Sequence, residues 1–511
     1  MKRSLPILLM LAGLIAAPAF AADAPKAATE AKTASTPVKE TQIVTRHSTK
    51  IGGETLRYTA VAGNLVLTDD KGDQTASMFY IAYTKDGENA GKRPLTFAYN
   101  GGPGGSSVLV NLGGFGPMQV QTVDAQTTPP APYTLKSNPY SLLDKSDLVF
   151  IDAVGTGFSK LLGKSEPKDF YGADQDVEAF GKFIERYLTL NNRWNSPKFL
   201  LGESYGTPRS TMLANWLQNQ GVALNGVILL SSILNFNNEF WFQPPGSNDL
   251  SYELYLPSYA AVAWYHKHLP NRPADLAAFL QQVRQFALGD YAEALRAGDS
   301  ISAAQETAVL AKLHAYTGLS ETYLKEAKLR VTPSRFMKEL LRDRGRTVGR
   351  FDARYVGIDY DNAGEYMDYD PSGSAMFPAV VAVFHDYLLN ELNDKNTADY
   401  EFLSYKVNGA WDWHHRVDGQ KFPVPDTLPD LREAMTQNPH LKVFSGNGYY
   451  DLATPFFKTE YELNHMELDP SLKKNIVFRY YEDGHMIYIH GPAMKKLKQD
   501  LDRFYDNSLS G

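Results

Sequence analysis

A mostly parallel, doubly wound α/β sheet, interrupted by a long and largely helical cap, is the fold class this sequence predicts. Three observations carry it. Short apolar runs of the kind buried in parallel sheets recur at residues 94–99, 147–153, 198–203 and 226–232. Stretches of helical period lie between them, and strand–helix alternation is what a parallel sheet needs. The sheet rhythm then stops near residue 235 and returns only at 441–455 and 475–486.

The N-terminus is expected to be an export signal. Lys2 and Arg3 precede the apolar run Leu5 to Ala17, and Ala19 and Ala21 supply the small residues of a cleavage site. The run is too short for a good membrane span, so stable insertion after cleavage is not expected. The chain is expected to be exported, to a periplasm or beyond the cell. Residues 22–42, rich in Ala, Lys, Thr and Pro, have little to bury and read as a disordered tether. From 43 to 90 the pattern alternates apolar and polar residues between Gly-Asn, Lys-Gly-Asp and Lys-Asp-Gly turns, a strand-rich start.

Within 173–188, Val177, Phe180, Ile184 and Leu188 recur at helical spacing with charges between. A second helix is expected after residue 206. Residues 236–435 carry mainly helical signals, such as "PADLAAFLQQVRQFAL" and "AQETAVLAKLHAYTG", and read as the cap. The catalytic core then consists of residues 43–235 and 436–511, closed by an amphipathic helix from Pro492.

Composition removes several function classes. The formal charge is −7 with no basic stripe, which argues against nucleic acid. Cysteine is absent, so disulfides, thiol nucleophiles and thiolate metal sites are excluded. Stability must come from core size, which 511 residues allow. Residues 359–370 superficially match a calcium loop, but Ala363 stands at a ligand position and Asp370 replaces the closing Glu. His414 and His415 are adjacent, so they share no helix or strand face, and no metal site is expected there.

The chemistry starts at "FLLGESYG". Gly202-Glu203-Ser204-Tyr205-Gly206 matches G-x-S-x-G between a strand and a helix, where a strained turn exposes the serine. A nucleophilic serine needs a base, and the base an orienting carboxylate. On this α/β-hydrolase plan the chain order is Ser, acid, His, each after a late strand. Asp451 and His485 occupy those places. "NGGPGG" (100–105) follows an early strand, where such hydrolases supply a main-chain donor to the oxyanion. Gly102 N–H and Tyr205 N–H, the residue after the nucleophile, are the candidate pair. Neither a Walker loop nor a G-x-G-x-x-G register is present. The mechanism requires no cofactor.

"NGGPGGSS", "LVFIDAVGTGFS", "GESYG", the Asp451 strand and "GHM" with Pro492 seven residues after His485 together resemble the serine carboxypeptidase family. These marks span about residues 95–492, the whole core, while the cap carries little of the match. The resemblance implies cleavage of C-terminal residues from peptides with a free C-terminus, through an acyl-enzyme. It also implies that Asn100, Gly101 N–H and Glu203 hold the terminal carboxylate. Glu203 must then be protonated to hydrogen-bond another carboxylate, so its pKa should be raised. Three positions depart from the family pattern. Gly105 stands where Cys is common, Ala98-Tyr99 replaces Trp-Leu, and Gly114 lies where some members place a second Glu. Two alternatives stay open: an esterase, acyltransferase or aminopeptidase of the same fold, or an inactive hydrolase-like binding module.

Overall fold

Among the described residues ten strands build one sheet, and their order places the candidate residues. The computed structural model describes residues 37–242 and 248–510. The expected export signal and most of the expected tether lie outside these residues. The end of that tether is tied down. Val38 N–H donates to Gln74 Oε1 at 2.8 Å, Thr41 N–H donates to Asn64 Oδ1 at 2.9 Å, and Glu40 pairs with Arg186 at 2.8 Å.

The strands are β1 (Gln42–Ile51), β2 (Glu54–Thr68), β3 (Gln74–Lys85), β4 (Leu95–Tyr99), β5 (Asp147–Ile151), β6 (Lys198–Glu203), β7 (Gly226–Leu230), β8 (Lys442–Gly448) and β9 (Ile476–Tyr481). A two-residue strand, Lys160–Leu161, pairs beside β3. Their spatial order is β1-β2-β3-β5-β4-β6-β7-β8-β9. β1 to β3 are antiparallel, and β3 also meets β5 antiparallel. From β5 to β9 every pairing is parallel. The order turns back on itself at β4, which lies between β5 and β6. Open parallel sheets bind their ligands at such a switch point, beyond the carboxyl ends of the strands.

The apolar runs form central strands because both faces must be covered. On β6, Leu200 enters one core cluster while Phe199 and Leu201 enter the other. β7 alternates in the same way, with Val227 and Leu229 on one face and Ile228 and Leu230 on the other. Each such side chain contributes roughly 1.5–3 kcal/mol on burial. The first face is covered by α1 (Ala173–Leu190) and α2 (Gly206–Asn219).

The segment between β7 and β8 is mostly helical and builds its own core around α3 (Leu250–Tyr265), with α4 (Leu276–Phe286) and α5 (Ala303–Thr317) packed on it. α3 is apolar on all sides, which suits a helix enclosed by others. Farther along come α6 (Pro333–Glu339), α7 (Pro371–Asp386) and α8 (Leu428–Gln437). α8 returns to the sheet and packs against α2, where Thr427 and Thr211 hydroxyls meet at 2.8 Å. After β9, α9 (Gly491–Leu509) covers the second face.

Residues 359–370 use their acids within the chain. Asp359 pairs with Lys338 of α6, and Asp370 caps α7, accepting from Ser372 N–H at 2.9 Å. His415 is bridged by two carboxylates, Nδ1 to Asp174 at 2.6 Å and Nε2 to Asp430 at 2.9 Å. It thereby ties its short hairpin strand to α1 and α8. Among the described residues, Asp352, Asp483 and His490 converge closely enough to hold a cation. Arg354 already pairs with both carboxylates there. No described helix is long and apolar enough to cross a membrane.

Candidate active site

Ser204 sits where β6 must turn abruptly into α2. Its φ is +58°, a left-handed conformation that costs a non-glycine residue about 1–3 kcal/mol. Ser204 N–H donates to Leu230 O at 3.0 Å, and Thr207 Oγ1 donates to Ser204 O at 2.7 Å, which holds the strain in place. Both flanking glycines are required by contact. A Cβ on Gly202 would lie 2.0 Å from Gly206 O, and one on Gly206 would lie 2.9 Å from Tyr99 O. α2 begins at Gly206, so its N-terminus faces the serine and favours developing negative charge.

The carboxyl ends of β8 and β9 bring the other two candidates together. Asp451 Oδ2 lies 2.7 Å from His485 Nδ1. Thr454 Oγ1 also donates to Asp451 Oδ2 at 2.7 Å, while Ala453 and Thr454 N–H groups donate to Oδ1. Four donors thus fix a fully buried carboxylate, which in turn fixes the imidazole. His485 N–H donates to Phe351 O at 2.6 Å, and its carbonyl accepts from Ser231 Oγ at 2.6 Å.

Among the described residues, His485 Nε2 has no hydrogen-bond partner, and it lies 3.4 Å from Glu203 Oε1. Ser204 and His485 line the same cavity, of about 620 Å³, but their side chains are not hydrogen-bonded to each other. Catalytic hydrogen bonds are often open in the free enzyme and close on a bound substrate.

The "NGGPGG" loop lies against the serine turn. A Cβ on Gly101 would fall 2.2 Å from Tyr205 N, so only glycine permits this approach. Gly102 has φ +114°. Among the described residues, the N–H groups of Gly101, Gly102 and Tyr205 donate to no acceptor. All three residues line the cavity. Unpaired main-chain donors grouped beside a serine that lines a cavity are what an oxyanion or a carboxylate would satisfy.

Asn100 and Glu203 form one hydrogen-bonded unit on the cavity wall. Asn100 Nδ2 donates to Glu203 Oε2 at 2.9 Å, and Asn100 Oδ1 accepts from Val110 N–H at 3.0 Å, which fixes the amide orientation. The Asn100 carbonyl accepts from Arg209 Nη1 at 2.8 Å. Arg209 is 0% exposed, pairs with Asp176 at 2.6 Å and packs over the Tyr99, Phe180 and Tyr205 rings. It anchors the Asn100 loop to α1 and α2.

Glu203 is 3% exposed, and burial raises its pKa above the ordinary value. The Asp451 charge raises it further, against the opposing effects of His485, Asn100 and Tyr488. Burial acts on His485 in the downward sense, but attraction to Asp451 and Glu203 outweighs it and its pKa is raised.

Tyr488, Arg209 and Arg350 are site residues that the sequence did not single out. The Tyr488 hydroxyl faces both Asn100, at 3.3 Å, and Glu203. Its ring fills the space beside Gly114, where a Cβ would meet the ring at 2.7 Å. A phenol therefore stands beside Glu203 at the place where Gly114 offers no carboxyl. The only signal was nearness to His485, since its contacts lie hundreds of residues away. Arg350 lines the cavity on the His485 side.

The strand order, with an abrupt Ser204 turn at its switch point, defines an α/β-hydrolase. Within that class, the family model described as serine carboxypeptidase matches residues 54–488. The chain belongs to the serine carboxypeptidase family. It is 34% identical over 170 residues to the pheromone-processing carboxypeptidase KEX1 of Saccharomyces cerevisiae, covering 31% of this chain and 22% of that protein. It is 24% identical over 212 residues to the serine carboxypeptidase-like 26 protein of Arabidopsis thaliana, covering 38% of this chain and 43% of that one.

Similar solved structures include a carboxyl esterase from Bacillus coagulans, at 11% identity and TM-score 0.36, covering 87% of this chain and 98% of the other. Another is the proline iminopeptidase of Mycobacterium smegmatis, at 12% identity and TM-score 0.35, covering 91% and 99%. At those TM-scores the likeness is loose.

Proposed function

We propose that this chain is a serine carboxypeptidase that removes C-terminal residues from peptides through an acyl-enzyme on Ser204. The observation that carries this reading is the Asn100–Glu203 unit beside the free Gly101 N–H, on the wall of the Ser204 cavity. A protonated Glu203, an amide N–H₂ and a main-chain N–H together suit a terminal carboxylate. With that group held, the last peptide bond would lie near Ser204 Oγ.

In this mechanism Ser204 Oγ attacks the scissile carbonyl and His485 Nε2 takes its proton. Asp451 keeps the other ring proton on Nδ1 and stabilises the imidazolium. The oxyanion is held by Gly102 and Tyr205 N–H, each donor of this kind being worth about 10²–10³ in turnover. The imidazolium then protonates the departing amine. A water, deprotonated by His485, attacks the acyl-enzyme and releases the shortened peptide. Residues 236–435 serve as the cap, supplying Trp241, Arg350, Phe351 and Phe377 to the cavity. Residues 1–21 are read as an export signal, and N-terminal sequencing of secreted or periplasmic protein should start near residue 22.

Matched peptides with free and amidated C-termini test the reading. The free form should be cleaved on the order of 10² times faster, since charge-assisted hydrogen bonds contribute about 1.5–3 kcal/mol each. Equal rates would refute the carboxypeptidase assignment and favour an esterase or acyltransferase. Fluorophosphonate labelling should vanish in Ser204→Ala; persistent labelling would displace Ser204 as nucleophile, and no labelling of the native chain would favour the inactive module.

A further inference from the structure

We infer that Arg350 forms a subsite for an acidic side chain of the substrate, in one of the two residues that flank the scissile bond. The inference rests on the carboxypeptidase reading and adds a substrate class to it.

Arg350 lines the same cavity as Ser204 and His485. Among the described residues, only its main chain is anchored, its N–H to Asp370 Oδ1 at 3.1 Å and its carbonyl to Leu452 N–H at 3.1 Å. The guanidinium carbon stands 5.4 Å from the Trp241 ring centre and 5.3 Å from that of Phe351. The guanidinium carbon thus lies over the faces of two aromatic rings. Among the described residues, its five N–H donors reach no carboxylate, carbonyl or hydroxyl.

The nearby acids are already committed. Asp370 caps α7 and accepts from the Arg350, Phe351 and Ser372 N–H groups. Glu239, close enough to be affected by the Arg350 charge, pairs with buried Lys458. More deeply buried arginines elsewhere behave differently. Arg93 and Arg193 share Asp147, Arg209 takes Asp176, and Arg354 takes Asp352. Arg350 is therefore a half-buried cation with no ion-pair partner among the described residues, on the wall of a partly enclosed cavity.

A guanidinium resting on aromatic faces with its N–H edges free matches a carboxylate, and the apolar lining beside it matches a short methylene chain. Glutamate fits both. The terminal carboxylate has its own holders in Asn100, Gly101 and Glu203, which leaves Arg350 for a side chain.

The test uses N-blocked dipeptides with a free C-terminus, carrying Leu, Gln, Glu or Lys at each of the two positions in turn. At one position, Glu should exceed Gln at least tenfold in kcat/KM. Arg350→Gln should erase that preference, read as the Glu-to-Gln ratio of kcat/KM within each enzyme. Arg350→Lys should keep part of it, and Arg350→Glu should turn it toward Lys. Calorimetry with N-acetyl-glutamate and N-acetyl-glutamine reads the same site without turnover, and only the former should lose affinity in Arg350→Gln.

Cleavage of Leu peptides with no Glu-over-Gln preference at either position would overturn the inference and leave the carboxypeptidase reading intact. A uniform rise in KM for every free peptide in Arg350→Gln would assign Arg350 to the terminal carboxylate and overturn it too. If no free peptide is cleaved, the functional reading fails; equal binding of the two acetylated amino acids would then also sink the Arg350 subsite.

Discussion

Replacing Glu203 with Gln isolates the proton on which the proposed carboxylate grip depends. In the native chain burial raises the Glu203 pKa, so the group stays protonated to a higher pH than an ordinary carboxyl. Once it ionises, it meets the substrate carboxylate as a like charge. At about 4 Å and an effective dielectric near 20, that repulsion is on the order of 4 kcal/mol, or roughly three pH units of displacement between free and bound enzyme. KM for an N-blocked dipeptide should therefore climb about tenfold per pH unit above the Glu203 pKa and level off after roughly 10³-fold. Glutamine keeps a donor but cannot ionise, so KM for Glu203→Gln should stay flat over the same range. Steady-state kinetics from pH 4 to 8, with the ionic strength fixed, measures both slopes. A flat native profile, or an unchanged slope in the variant, would refute the reasoning.

Tyr488→Phe removes a hydroxyl that favours the ionised form of Glu203, so the rise in KM should move to higher pH by about one unit, with little change in kcat. Movement to lower pH would contradict that assignment. Arg209→Met leaves Asp176 buried without its partner and should cost roughly 3–5 kcal/mol, seen as an earlier denaturant midpoint. An unchanged midpoint would show that the ion pair does not secure the Asn100 loop.

For His415, burial alone would lower the pKa, but its hydrogen bonds to Asp174 and Asp430 raise it from 6.5 to about 9. The stabilisation is present in full below about pH 6.5 and is lost as pH rises through about 9, up to ~3 kcal/mol in all. Denaturation midpoints should fall across that window in the native chain and stay level in His415→Gln; parallel curves would rule this out.

The parallel strands could be read from the sequence because their apolar runs must be covered on both faces and are bounded by turn residues. The Ser204 turn was equally legible, since Gly202 answers to a clash with Gly206 four residues on, although the Gly206 clash is with distant Tyr99. The Asp451–His485 contact followed from strand rhythm and chain order, and the two side chains meet at 2.7 Å. Helix α3 was not singled out because it is enclosed on all sides and shows no apolar stripe. Tyr488 escaped notice for another reason. Its role depends on Asn100, Glu203 and Gly114, and no local pattern records which ring will fill a gap left by a distant glycine. Arg350 was hidden likewise, because an unpaired cation is recognised only once its surroundings are known.

The placement of β8 and β9 has a consequence for biosynthesis. The groups that hold the serine turn have all been made by residue 230, but the imidazole arrives only at residue 485, after the last strand. A nascent or truncated polypeptide can thus present its hydroxyl long before anything exists to deprotonate it. Under the proposed mechanism, hydrolysis cannot begin before residue 485 has been made and its imidazole has docked on Asp451.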